Sequence, residues 1–209
     1  MAPVVVNPAH VREFRDAAAF HDWLARNHDK QSEVWIRVFK AGSGIASITP
    51  KEAIDVVLCW GWIDAIRKGL DEVSFLQRYT PRGRKSIWSK INRDNVERLI
   101  DAGRMTEHGL REVDRAKADG RWDRAYGGSK DMVPPPEFMA ALRADPRALA
   151  NYDKLNAQNR FALAFRLGNL KTEAARARNI QRFVEMLGRG ETIYPQDLDK
   201  PPARKRPAK

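Results

Sequence analysis

The sequence predicts an α+β protein: a small sheet with packed helices, then an all-helical C-terminal part and a disordered basic tail. Three observations carry that prediction. The runs richest in β-branched and aromatic residues, Glu33–Lys40 and Val73–Thr80, both lie in the first part of the chain, and such runs bounded by glycine read as strands. Beyond Pro136 the apolar residues recur only at helical spacing. Residues 200–209 contain five basic residues and three prolines and no acidic residue, a composition that cannot bury enough apolar surface to fold. The predicted divisions are an α+β domain over 8–128, a helical region over 134–191 and the tail over 200–209, with Gly127–Pro136 as the linker between the first two.

Taken in order, Asp16 is placed to cap a helix reaching His28, with Phe20, Trp23 and Leu24 on one face. A strand follows at Glu33–Lys40 and ends in the turn Gly42-Ser-Gly44. Thr49-Pro-Lys-Glu52 is a capping box with proline at its first helical position. The helix it starts runs into Cys59-Trp-Gly-Trp-Ile-Asp64, apolar enough to be buried at least in part. Ile63–Thr80 reads as an extended pair turning around Gly69–Glu72. A helix follows with Trp88, Ile91, Val96 and Leu99 on one face, stopped by Gly103, and a second over Thr106–Asp119, stopped by Gly120. The helical part contains segments near Glu137–Arg143, from Pro146, near Gln158–Leu167, and over Thr172–Leu187. The last of these carries an Ile180, Phe183, Val184 and Leu187 stripe. No repeat is visible.

Composition excludes several classes. A lone Cys59 allows neither an internal disulfide nor a thiolate metal site. The N-terminus lacks the basic and apolar regions of a secretory signal, and the longest apolar run, Val56–Ile63, is far short of the roughly 20 residues that span a bilayer. The expected location is therefore cytoplasmic, with no membrane span. Metalloprotease, nucleophile-elbow, phosphate-loop, dinucleotide and EF-hand motifs are absent. The sequence thus names no catalytic residue, no cofactor and no metal. Cys59, between Leu58 and Trp60, reads as a buried, inert thiol. His10, His21, His28 and His108 read as isolated surface or half-buried side chains.

The net charge of +11 is unevenly placed. Residues 66–98 and 200–209 each carry a net +5, while 1–65 carry −1, 99–133 carry 0 and 134–199 carry +2. The stretch Arg78–Arg93 has six basic residues and no acidic one. Like charges held together repel, so they call for solvent, acidic neighbours or an anionic ligand. Arg78, Arg82, Arg84, Lys85 and Lys90, with Ser86 and Ser89 near a helix start, are the candidate anion-binding residues. Trp60, Trp62, Asp64, Tyr79 and Trp88 are the candidate pocket or stacking residues. Trp88 also reads as core, and the charge run also reads as a solvated face. Asp64 and Asp71 are expected to neutralise Arg67 and Lys68 across the hairpin. On the last helix Arg176, Arg178 and Arg182 are expected to pair in part with Glu173 and Glu185.

Cys59-Trp-Gly-Trp-Ile-Asp64, Leu76-Gln-Arg-Tyr-Thr-Pro-Arg82 and Lys85-Ser-Ile-Trp-Ser-Lys-Ile-Asn92 resemble the YdeI/OmpD-associated, or bacteriocin-protection, family. Ala118-Asp-Gly-Arg-Trp-Asp123 and the helix from Ala-Arg-Ala-Arg-Asn-Ile180 to Gly188 extend the likeness over about residues 10–190. The late motif departs from the family in Ala175, where a threonine is usual, and in Asn179, where a further arginine is common. The resemblance implies a role in tolerance to bacteriocins or cationic peptides and in envelope stress, and supplies no mechanism. Three functions follow as expectations. The first is a non-catalytic binding protein that acts through an anionic ligand or a protein partner. The second is a nucleic-acid-binding module using the 78–93 surface. The third is an enzyme on a small anionic metabolite.

Overall fold

Capping chemistry sets where the helices begin. In the computed structural model, which describes residues 4–127 and 132–200, the Asp16 side chain accepts from the Ala19 amide at the start of α1 (Ala17–Asn27). The Thr49–Glu52 capping box opens α2 (Pro50–Cys59). Ser89 caps α3 (Lys90–Asp101), and Thr106 caps α4 (Glu107–Ala118). Each cap supplies an acceptor to an amide that the helix itself leaves open. Gly103 and Gly120 stop α3 and α4 at φ +63° and +72°.

The chain divides into two compact units, Met1–Tyr126 and Gly127–Lys209. The first is α+β. Its sheet has the order β1-β2-β4-β3, built from β1 (Val11–Arg12), β2 (Val34–Phe39), β3 (Trp62–Gly69) and β4 (Ser74–Pro81). The last three strands are antiparallel neighbours, and β1 lies parallel to β2. With two residues, β1 has no periodicity to read, so it is absent from the sequence prediction. Helices α1 and α2 cover one face, where Phe20, Leu24, Val56 and Val57 meet Val34, Ile36, Val38, Trp62 and Tyr79. A second core joins Leu58 and Cys59 of α2 to Trp88, Val96, Leu99, Val113, Ala116 and Trp122. Helix α2 belongs to both cores, which explains its nearly continuous apolar run.

The face predicted for α3 needs correction. Trp88 is buried but precedes the helix, and Ile91 is 60% exposed, whereas Val96 and Leu99 are buried. Five residues separate Ile91 from Val96, which turns them about 140° apart on a helix. The hairpin charges also pair differently. Asp71 binds Arg37 of β2 at 2.8 Å and accepts from the Val73 and Ser74 amides, while Arg67 bonds Gln77 and lies over the Phe75 ring.

The second unit is helical: α5 (Pro136–Ala144), α6 (Pro146–Asp153), α7 (Ala157–Gly168) and α8 (Glu173–Gly188). They pack around Phe138, Leu142, Tyr152, Leu163, Leu167, Phe183 and Leu187. On α8 the expected ion pairs do not form: Arg182 bonds Asn179, and Glu185 accepts from Gln181. Part of the linker prediction, 128–131, and all but Lys200 of the tail prediction lie outside the described residues. Among the described residues no helix is long and apolar enough to cross a membrane.

Candidate anion-binding cleft

The first unit carries a cleft of about 250 Å³, near the small end of ligand pockets. Two junctions build it. Gly61, at φ +70°, turns the chain from α2 into β3, and its carbonyl accepts from the Arg82 amide just past β4. Thr106 ties the start of α4 to the same corner, its hydroxyl donating to the Cys59 carbonyl at 2.6 Å. Close approach there requires Gly109, where a Cβ would stand 2.3 Å from the Cys59 carbonyl oxygen. Helix α4 then presents His108, Arg111, Glu112 and Arg115 on the cleft side, at the spacing that puts residues on one helical face. His28, Trp60, Trp62, Pro81 and Arg82 complete the lining with Gly61.

Arg82 is 5% exposed. Its guanidinium lies 3.6 Å over the Trp88 ring, and Nη1 donates to the Ile87 carbonyl at 3.1 Å. Its Nε and Nη2 are buried with no hydrogen-bond partner in the protein. Burial lowers its pKa to about 10, against the pull of Glu112 and Asp64, so it stays charged at neutral pH. Glu112 has one oxygen engaged, Oε1 accepting from Arg115 at 2.7 Å, and its Oε2 is buried without a partner. Burial also raises the Asp64 carboxyl above its usual range, although the residue is exposed as a whole.

An aromatic wall stands beside these charges. The His28 and His108 rings lie 3.9 Å apart, and both contact Trp60, His108 stacking on it at 5.5 Å. The Trp62 indole donates to the His28 carbonyl at 3.3 Å, fixing the end of α1 against the cleft. Burial, His28 and Arg111 lower the His108 pKa. That shift favours the uncharged imidazole, and the fixed cations of the cleft are Arg82, Arg111 and Arg115.

The sequence candidates separate into groups. Arg82, Trp60 and Trp62 line the cleft. Asp64 stands close enough to act on Arg82 but is not part of the lining. Arg78 is committed elsewhere, donating to Glu33 at 2.6 Å beside His10. Tyr79 is fully buried in the sheet core, and Trp88 lies beneath Arg82. The Ser86 hydroxyl accepts from the Gly83 amide and the Ser89 hydroxyl from the Asn92 amide, so both serve turn and cap. Arg84, Lys85 and Lys90 are exposed. The sequence reading missed His28, His108, Arg111, Glu112 and Arg115. The signal available for the last four was their shared face on α4; their meeting with Arg82 depends on long-range packing. Cys59 is buried, and burial raises its thiol pKa.

Neither curated proteins nor solved structures gave a match to the chain. Two family models do match it. Residues 12–112 match a domain of unknown function, DUF8412, and this stretch holds the cleft except for Arg115. It also holds the Cys59–Asp64 and Lys85–Asn92 motifs on which the resemblance leaned most. Residues 131–190, within the helical unit, match the model of a family described as bacteriocin-protection, YdeI or OmpD-associated.

Proposed function

We propose that this chain is a binding protein that takes a small phosphate or carboxylate anion in the cleft of its α+β unit, and that this is its contribution to bacteriocin or cationic-peptide tolerance. One observation carries the reading: Arg82 lines the cleft, is 5% exposed, and has Nε and Nη2 unpartnered by the protein. A buried cation with open donors costs several kcal/mol unless something pairs it. Nε and Nη2 form one edge of the guanidinium, the geometry that grips an oxyanion through two parallel hydrogen bonds. A chain of net charge +11 repels cationic peptides. Tolerance would therefore run through the bound anion or a partner that senses it, and not through sequestering the peptide.

Calorimetric titration of the full chain with inorganic phosphate and with benzoate tests this. Binding of either, weakened at least about tenfold in Arg82→Met, is the expected result. Methionine keeps the side chain's length over Trp88 while removing its donors, and circular dichroism checks the fold. Failure of the native chain to bind either anion would sink the reading. Arg82→Glu is a poor test, because it buries a carboxylate.

A second reading, nucleic-acid binding, draws support from Arg84, Lys85 and Lys90, exposed and without an ion pair among the described residues. It predicts affinity falling with salt at a slope of about −0.7 to −0.9 per phosphate neutralised. Fluorescence anisotropy with Arg84→Glu plus Lys85→Glu would then show loss of binding. Affinity that ignores salt would reject it.

A further inference from the structure

Resting on the cleft reading above, we infer that the anion is one that keeps a proton, hydrogenphosphate or the monoanion of a phosphomonoester, and that Glu112 is the residue that reads this proton. Glu112 lines the same cleft as Arg82. Its side chain is 14% exposed, Oε1 is held by Arg115, and Oε2 is buried without a partner. The two open groups do not satisfy each other: among the described residues Glu112 forms an ion pair with Arg115, and Arg82 forms none. They are nevertheless close enough for Glu112 to act on Arg82 electrostatically.

Open guanidinium donors accept any oxyanion. An open carboxylate oxygen beside them does not, because it can only accept a hydrogen bond. Sulfate at neutral pH presents acceptors alone, so its oxygens would face those of Glu112 across a partly dry site, and such a contact repels. Hydrogenphosphate presents acceptors to Arg82 and one P–OH donor to Glu112. The pair therefore selects for a proton on the ligand, as a site that must hydrogen-bond a hydroxyl rejects the analogue lacking it.

The titration behaviour of the ligand makes this testable. A phosphomonoester loses its last proton with a pKa of about 6, whereas inorganic phosphate retains one through neutral and mildly alkaline pH. Other titratable or charged groups stand nearby: His28, His108, Arg111 and Arg115 line the cleft, and Asp64 of β3 and Tyr126 act on Arg82 from outside that lining. Inorganic phosphate and methyl phosphate carry nearly the same charge at either pH, so titration of these groups acts on both alike and the ratio of that pair isolates Glu112.

The experiment is calorimetric titration of the full chain with inorganic phosphate, sulfate and methyl phosphate at about pH 5.5 and about pH 8, which bracket that pKa. Phosphate should bind about 10- to 100-fold tighter than sulfate, the size of one hydrogen bond to a charged group. Methyl phosphate should match phosphate at the lower pH and fall about tenfold or more behind it at the higher. In Glu112→Gln, whose amide also donates, the phosphate preference over sulfate should shrink to within about threefold. Equal binding of sulfate and phosphate by the native chain overturns the inference, as does a methyl phosphate to phosphate ratio that ignores pH. An unchanged preference in Glu112→Gln removes Glu112 from the role. Should benzoate bind through Arg82 while phosphate does not, the cleft reading stands and this inference falls; if no anion binds, both fall.

Discussion

Among the buried polar side chains, Asn159 of the helical unit and Arg82 of the α+β unit are treated in opposite ways. In the helical unit Asn159 is 1% exposed and fully engaged. Its amide nitrogen donates to the Tyr194 carbonyl at 3.1 Å and to Gln196 at 3.0 Å, while its oxygen accepts from the Tyr194 amide at 2.9 Å. In the α+β unit Arg82 is almost as deeply buried, with a single hydrogen bond from Nη1. A satisfied buried amide fixes the path of the chain, here the return of residues 194–196 onto α7, whereas a half-satisfied buried cation is a reason to look for a ligand. Asn159 serves the fold, whereas Arg82 lines a cleft with two donors that the protein leaves unpartnered.

The largest effect should come from the corner that brings α4 to the cleft. In Gly109→Ala the new Cβ meets two backbone oxygens, those of Cys59 at 2.3 Å and Leu58 at 2.7 Å, and neither can move without dragging α2. A loss of about 3 kcal/mol in denaturant unfolding is expected, with anion binding weakened because Glu112 moves away from Arg82. Next in size is the direct comparison. Asn159→Leu strands the Tyr194 amide and carbonyl and should cost about 2 kcal/mol. Arg82→Met removes a buried charge that the protein pairs poorly and should leave stability within about 1 kcal/mol or raise it. Equal destabilisation by the two would break the contrast.

Much of the fold was legible because its signals are local. Asp16, Thr49-Pro50 and Thr106 announce their helices through the hydroxyls and carboxylates that cap them, and Gly103 and Gly120 mark the stops. Ile91 was misread because it sits near Val96 and Leu99 in sequence but on another side of the helix. The site was only half legible. Arg82 stood out within an uncompensated basic run, yet nothing local says that it, alone of Arg78, Arg82 and Arg84, is buried: Arg78 is absorbed by Glu33, 45 residues away, and Arg84 points to solvent. Glu112 and His108 were invisible for a related reason. Their role arises where α4 crosses the Cys59–Gly61 corner, a contact about 50 residues apart in sequence.

Two smaller effects sharpen the picture of the α+β unit. Burial alone would raise the Glu33 carboxyl pKa, but hydrogen bonds from His10 and Arg78 overcome it and hold it below the ordinary value of 4.5. A carboxyl whose pKa is depressed by folding stabilises the fold above its unfolded pKa and loses that contribution as pH falls through the folded value. Urea titrations should therefore show stability declining below about pH 4.5, with a shallower decline in Glu33→Gln. The smallest effect concerns Cys59, whose buried thiol should react with an aromatic disulfide reagent at least about a hundredfold more slowly in the native chain than in urea. Comparable rates would place the α2 end outside the core.

The most direct measurement follows the Arg82 side chain itself. In the nitrogen-15 spectrum of the full chain, the Arg82 Nε–H signal can be assigned by its disappearance in Arg82→Met and tracked through a titration with inorganic phosphate. It should move saturably, with the same midpoint as calorimetry, because phosphate takes the Nε and Nη2 edge that the protein leaves open. Phosphate that binds while this signal stays still, or a native chain in which nothing moves at all, would contradict the account.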